Sequence, residues 1–320
     1  MALDLPQLLR RFGEGQGNMA GAYTIGLDYG SNSVRAVLLD VSNGRELASA
    51  VWNYSRGQAG IILDDTEPDL ARQHPADYLE GATVTIKEVL SKAAAEAGYS
   101  PKNVIGIGID TTGSTPLPVD ANGTALALLP QYDNTPDAMA WLWKDHTSYA
   151  EAAELTAAAE KTRPQYLAKC GGRYSSEWFW SKILRCSRVN PDVFKQAFTW
   201  VELADWLPAV LTGNQHPSKL KRGICAAGHK AFFNPAWGGY PDTEFLGSFS
   251  SELARIGKSL PNTAHNVADQ AGVLSEEWAS KLGLPAGVPV AIGAVRRPPR
   301  RGRRGRHREH ARQDHRHQHV

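Results

Sequence analysis

The stretch YTIGLDYGSNSVRAVLLD, residues 23–40, decides how the rest of the chain is read. An apolar run ends in Asp28, passes through a turn of glycine and small hydroxyl residues, and returns as a second apolar run. That pattern predicts a strand over 22–30, a tight turn and a second strand over 33–41. Asn43-Gly44 is a hairpin signal, and RELASAVWNYS (45–55) reads as a third strand. Three strands joined by short turns are antiparallel neighbours. The next segment, 74–98, has Tyr78, Leu79, Ala82, Ile86, Val89, Leu90 and Ala93 at helical spacing, with Pro75 in the first turn and Gly98 as the stop. NVIGIGIDTTG (103–113) is then a buried strand that enters another glycine turn. The order β-β-β-α-β predicts an α/β domain of the ribonuclease-H-like kind, as in the actin and hexokinase folds. It has one mixed sheet with flanking helices.

The two turns are candidate sites for chemistry. In DYGSNSVR (28–35) a carboxylate at a strand end precedes Gly30, Ser31 and Ser33, followed by Arg35. Backbone N–H groups of such a turn can hold phosphate oxygens, and Asp28 can hold Mg²⁺ through water. The same residues also suit an ordinary Asx-type hairpin turn. The spacing excludes a P-loop. GIDTTGSTPLPVD (108–120) repeats the arrangement with Asp110, Thr111, Thr112, Gly113 and Ser114. Two strand-end turns on adjacent strands would face one cleft.

Farther along, 136–213 reads as mainly helical. SSEWFWSKILRCSRV (175–189) has a capping serine, and TWVELADWLPAVLTG (199–213) a helix kinked at Pro208. Residues 214–245 read as loop, and 275–294 as helix, turn and strand. Trp178, Phe179, Trp180, Trp200 and Trp206 are read as core rather than sugar-stacking platforms, and His229 as structural.

With these blocks in place the chain resembles the N-terminal domain of the FGGY carbohydrate kinases over roughly 22–294. YTIGLDYGSNSVRAVLLD and GIGIDTTGSTPLPVD are shared with sugar kinases in general. WLWKDHT, YSSEWFWSKIL, WVELADWLPAVLTG, AAGHKAFFNP-AWGGYP and LGLPAGVPVAIGA point to the branch acting on L-ribulose. The resemblance implies transfer of a phosphoryl group from Mg·ATP to the 5-hydroxyl of L-ribulose, in arabinose catabolism. It implies Asp28 near Mg²⁺, and Gly30, Ser31, Ser33 and Arg35 facing the ATP phosphates. Thr112, Gly113 and Ser114 would line the sugar side, with Lys230 bonded to the ketose. Lys144 and Asp145 of WKDH either meet the sugar or form a salt-bridged helix start; Lys230 has a solvated loop lysine as its alternative. Another pentulose or polyol kinase of the same family is the competing enzyme reading.

The family places its catalytic Asp in a G-A-F-D-x-H segment after the strand that VAIGA matches; here Arg296 stands at that place, and the catalytic residue is therefore unknown. The family's second, ATPase domain is expected to be absent. From Val295 onward, ten residues are arginine and five histidine, with no lysine. Val295–Arg300 can be encoded so that a one-base move reads Phe-Asp-Ala-His-Leu. Residues 313–320 shifted the same way read Lys-Ile-Ile-Gly-Thr-Ser-Thr, like the family's phosphate segment. The tail 295–320 is thus expected to be out of frame and disordered, leaving the chain inactive. Polyanion binding through that tail is the non-enzymatic alternative. Against it, the tail holds ten of the 35 basic and two of the 33 acidic residues, so 1–294 carry 25 basic against 31 acidic residues. No nucleic-acid partner is expected.

Cys170, Cys186 and Cys225 form no C-x-x-C pair, so no disulfide framework or zinc site is expected. No apolar run approaches the ~20 residues of a membrane span. A cytoplasmic protein, compatible with a homo-oligomer, fits best. Residues 1–21 read as an N-terminal extension, with Met19 as a second candidate start.

Overall fold

The structure is a computed structural model that describes residues 21–295. Apart from Gly21 and Val295, the N-terminal extension and the Arg/His-rich tail lie outside the described residues. Three strands open the chain: β1 (Tyr23–Tyr29), β2 (Ser33–Asp40) and β3 (Glu46–Asn53). A short strand β4 (Arg72–Gln73) leads into helix α1 (Pro75–Ala93). Next come β5 (Val104–Thr111), β6 (Pro116–Val119) and β7 (Ala140–Trp141). The helical part holds α2 (Tyr149–Thr162), α3 (Pro164–Ala168), α4 (Phe179–Val189) and α5 (Pro191–Gln196). Strand β8 (Thr199–Glu202), then α6 (Leu203–Leu211), α7 (Ile224–Lys230), α8 (Thr243–Gly247) and α9 (Ser251–Lys258) follow. The described chain closes with β9 (Gln270–Val273), α10 (Glu276–Leu282), β10 (Pro289–Ala291) and β11 (Ala294–Val295).

The main sheet runs β3-β2-β1-β5-β10-β9, with β11 also paired to β5. The first three strands are antiparallel, while β1, β10 and β11 run parallel to β5. This is the mixed sheet the sequence predicts. Alternation in β1 buries Tyr23, Ile25, Leu27 and Tyr29. These side chains meet Tyr78, Ala82, Ile86 and Val89 of α1, together with Trp206 and Leu207 of α6 and Leu282 of α10. Burial of each such large apolar side chain stabilises by roughly 1.5–3 kcal/mol. The approach of α1 depends on Gly81, where a Cβ would stand 2.3 Å from Val34 Cγ1. A second apolar cluster gathers Trp141, Trp180, Trp200, Tyr166, Tyr174, Phe179 and Phe232 beside the sheet domain. Phe179, Trp180, Trp200 and Trp206 are buried core residues, as their sequence setting predicts.

Several boundaries differ from the sequence pattern. Helix α1 ends at Ala93, and 94–98 form turns closed by Gly98 at φ +79°. Helix α4 begins at Phe179, because the Ser175 hydroxyl accepts from Glu177 N–H in a local turn instead of capping. The expected helix over 199–213 divides in two. Residues Thr199–Glu202 pair with β6 as a fully buried strand before α6 begins, so tertiary pairing overrides the helical spacing. The expected loop 214–245 contains α7, and α8, whose N-cap Asp242 accepts from Phe245 N–H at 2.8 Å.

Two buried carboxylates brace this frame. Asp145, read in sequence as either a sugar contact or part of a salt bridge, takes the second role. It is fully buried, pairs with Arg72, and accepts from Ala71 N–H at 2.8 Å and the Thr147 hydroxyl at 2.7 Å. The Arg72 guanidinium lies 3.4 Å from the centroid of the Trp141 ring. Replacing Asp145 with alanine removes the nearer carboxylate and leaves the buried guanidinium only Asp137, at 3.5 Å, and a loss of about 3 kcal/mol in urea denaturation is expected. Asp205 accepts from Gly223 N–H at 2.7 Å, and burial pushes its carboxyl up to about 7 from an ordinary 3.8. Its raised value favours the fold below the ordinary carboxylate range, and that contribution is lost as pH rises through about 7. Between about pH 4 and about pH 8, wild type is therefore expected to lose stability relative to an Asp205→Asn variant. Urea midpoints that run parallel over that range would contradict this assignment.

Candidate functional site

The turn after β1 is held from behind. Gly30 N–H closes it on Ser33 O at 2.9 Å, and a Cβ on Gly30 would stand 3.3 Å from that same oxygen. The Gly30 carbonyl accepts from the Tyr54 hydroxyl at 3.2 Å, and the Ser31 carbonyl from Gln73 Nε2 at 2.7 Å. The Asn32 carbonyl accepts from Tyr54 N–H at 3.0 Å. Gln73 is oriented in turn by the Tyr78 hydroxyl, at 2.8 Å. Three of the turn's carbonyls are thus occupied from within the protein, so they do not face an approaching anion. The Ser31 hydroxyl accepts from the exposed Trp143 indole at 3.0 Å.

Strand register places the acidic groups. In the β1–β5 pairing Asp28 lies opposite Asp110, and in β1–β2 it lies opposite Arg35, with 3.9 Å between their charged atoms. In β5–β11, Asp110 lies opposite Ala294. Asp28, Arg35 and Asp110, with Gly26, Gly108 and Ala294, line a cleft of about 390 Å³. Two carboxylates in register on neighbouring strands suit a divalent cation that keeps most of its water. Among the described residues no cluster of three or more His, Cys, Asp or Glu side chains could hold a metal ion by itself. Such a cation would therefore complete its shell with water and substrate oxygens.

The second turn abuts the first: Thr112 N–H donates to the Tyr29 carbonyl at 3.0 Å. The Thr112 and Thr115 hydroxyls share a hydrogen bond of 3.0 Å. A Cβ on Gly113 would stand 3.5 Å from Val295 Cβ and 3.8 Å from Lys230 Cε. Gly113, Lys230 and the end of β11 thus converge, although they come from three distant parts of the chain. Lys230 Nζ stands 5.3 Å from the centroid of the Trp178 ring, and its backbone carbonyl accepts from the Tyr174 hydroxyl at 2.6 Å. Burial pulls the Lys230 ammonium below the usual lysine range, opposed by the charges of Glu202 and Glu177. His229 packs edge-on against Trp178. Lys144 is exposed, with its Nζ 5.7 Å from the centroid of the Trp143 ring, whose indole donates to the Ser31 hydroxyl of the first turn.

Two residues of this site carry little sequence signal. Lys182 is fully buried, and its Nζ donates to three backbone carbonyls: Ser114 at 2.8 Å, Leu142 at 2.8 Å and Trp141 at 3.1 Å. Glu202 Oε2 accepts from Thr115 N–H at 2.9 Å. Burial pushes the Glu202 carboxyl up, against the pull of the Lys182 charge. The one clue in the sequence is a lysine set inside the apolar run of α4.

Residues 23–296 match the model of the FGGY family of carbohydrate kinases, N-terminal domain. The chain is 47% identical over 272 residues to a ribulokinase of Vibrio parahaemolyticus, covering 85% of this chain and 47% of that protein. It is 40% identical over 278 residues to a ribulokinase of Shouchella clausii, covering 85% and 48%. The chain thus spans about half the length of the curated relatives it matches. Among solved structures, a ligand-bound xylulose kinase from Lactobacillus acidophilus superposes with a TM-score of 0.64 at 19% identity, over 86% of this chain and 48% of that one. A Plasmodium falciparum glycerol kinase with ADP does so with a TM-score of 0.64 at 15% identity, over 86% and 49%. These two structures speak for the fold alone. The family match over 23–296, together with the register that aligns the two glycine turns, leads to one conclusion: the chain belongs to the FGGY family of carbohydrate kinases and carries its N-terminal domain.

Proposed function

We propose that this chain is the sugar-binding half of a ribulokinase, the enzyme that moves a phosphoryl group from ATP to the 5-hydroxyl of L-ribulose. The observation that carries the reading is the β1–β5 register. It sets Asp28 beside Asp110 at one end of the sheet, next to a second turn where Gly113 meets Lys230. The identity to ribulokinases at 47% and 40% supports the choice of sugar.

In this reading the residues divide the work. Ser31 and Ser33 offer hydroxyl groups to phosphate oxygens, with Arg35 adding a positive charge, while Gly30, its N–H used inside the turn, allows the close approach. Asp28 and Asp110 would hold Mg²⁺ through water, and the ion would neutralise phosphate charge when bound. Thr112 and Gly113 line the acceptor side, while Ser114, which the sequence pattern put beside them, is fully buried and supports the turn from behind; Lys230 donates to a ketose oxygen. Phosphoryl transfer depends mainly on positioning and charge stabilisation, so a rigid pair of turns is the appropriate device. The attacking hydroxyl must also lose a proton. By family resemblance a carboxylate would do this from position 296, where the sequence has Arg296, a residue outside the described range. A guanidinium is always charged near neutral pH and cannot accept that proton.

The 320-residue chain is therefore expected to bind L-ribulose without ATP-dependent product formation. Calorimetry with L-ribulose, xylulose and ribitol, beside a coupled ADP-release assay, checks both halves. Turnover near that of an intact kinase would refute the role given to position 296, and preference for another sugar would reassign the substrate. Lys230→Ala removes a charged donor from the acceptor side. It is expected to weaken sugar binding about tenfold to a hundredfold while the thermal midpoint stays close to wild type.

A further inference from the structure

The carbonyl of Ser114 and the N–H of Thr115 belong to one peptide unit. Lys182 Nζ donates to that carbonyl at 2.8 Å, and Glu202 Oε2 accepts from that N–H at 2.9 Å. In a trans peptide these two groups point in opposite directions, and there is no cis bond among the described residues. The peptide therefore lies between a buried ammonium and a buried carboxylate, which are not themselves within ion-pair distance. Ser114 has φ +62°, a left-handed conformation that residues with a side chain disfavour. It is one of three described non-glycine residues with positive φ, and the one that sits in the sugar-side turn.

We propose that Lys182 and Glu202 are positioning residues that clamp the Ser114–Thr115 peptide and so hold the sugar-facing turn in its left-handed form. The clamp rests on the reading of that turn as a sugar contact. Burial pulls the Lys182 ammonium well below the usual lysine range, yet the three carbonyls around its Nζ call for three N–H donors, which an ammonium has and a neutral amine lacks. The other two carbonyls, of Trp141 at the end of β7 and of Leu142 just after it, anchor the lysine there, so pull on the turn is transmitted to a separate strand. Glu202 is anchored similarly: it ends β8, which pairs with β6 directly after the turn, with Pro116 opposite Glu202. Leu203 N–H donates to the Thr115 carbonyl at 3.0 Å and closes the same junction. With the peptide plane fixed at 114–115, Gly113 is held against Lys230 and Val295. A plain structural bolt between α4 and β7 would need only the carbonyls of Trp141 and Leu142.

The test uses the full 320-residue chain with Lys182→Met, Glu202→Gln, Ser114→Gly and the double variant Lys182→Met/Ser114→Gly. The first readout is hydrogen exchange at the Thr115 amide, and the second is the Kd for L-ribulose by calorimetry. Lys182→Met is expected to speed Thr115 exchange about a hundredfold and to weaken sugar binding about tenfold. Glycine at 114 adopts the left-handed form without help, so the double variant is expected to recover binding to within about threefold of wild type. Rescue of this kind separates positioning from support of the fold, because glycine at 114 cannot replace a bolt between α4 and β7. If Lys182→Met does not fold, Glu202→Gln carries the exchange readout, since glutamine keeps the volume while its neutral amide oxygen is a weaker acceptor for the Thr115 N–H than a carboxylate. Unchanged Thr115 exchange in both single variants overturns the clamp. So does weakened binding in Lys182→Met that Ser114→Gly leaves unrestored. If wild type binds no ketopentose, the sugar reading falls, while the exchange measurement still decides whether the clamp exists.

Discussion

Parallel pairing of β1 with β5 is the constraint on which the candidate site depends. A parallel register sets strand ends of the same polarity side by side, so whatever follows each strand emerges at one edge. Here two runs of the same form, apolar residues and then Asp and a glycine turn, are brought level, with Asp28 opposite Asp110. A slip of one residue would move one aspartate to the helix-covered face among Leu27, Ile109 and Trp206. Burial of those apolar side chains against α1 and α6 therefore holds the register, and through it the spacing of the two turns.

The site is supported by polar groups behind it as much as by the side chains that face the cleft. The first turn has its carbonyls drawn back by Tyr54 and Gln73, and Gln73 is itself held by Tyr78. In the second turn, the peptide at 114–115 is gripped from both sides by buried charges. Charges are costly to bury, and they are tolerated here because each meets specific partners: three carbonyls for Lys182, one peptide N–H for Glu202. The same principle explains Arg72 and Asp145, which satisfy one another between β4 and the segment after β7.

The parts of the fold that were legible in the sequence rest on local periodicity. Strands β1, β2 and β3, helix α1 and strand β5 follow from alternation, helical spacing and turn residues, because each covers one face of its own segment. The aromatic residues Phe179, Trp180, Trp200 and Trp206 were also readable as core from their size and apolar company. Where a segment's partner was remote, the pattern misled. Thr199–Glu202 has residues that suit a helix, yet it pairs with β6, eighty residues earlier in the chain. Asp145 looked as suited to a sugar as to an ion pair, because Arg72 lies too far away in sequence to be seen beside it.

By itself the amino-acid sequence determined the β-β-β-α-β order, the two Asp-Gly turns and the resemblance to a kinase family. All three are properties of contiguous residues. Only the tertiary structure decided that Gly113, Lys230 and Val295 meet, that Trp143 reaches the first turn, and that Asp145 braces the frame. It also placed Lys182 and Glu202 on the two sides of the 114–115 peptide. A lysine in a helix and a glutamate at a strand end carry no mark of which peptide they will grip. That choice is made when burial removes water and leaves each charge to the partners packing has placed nearby.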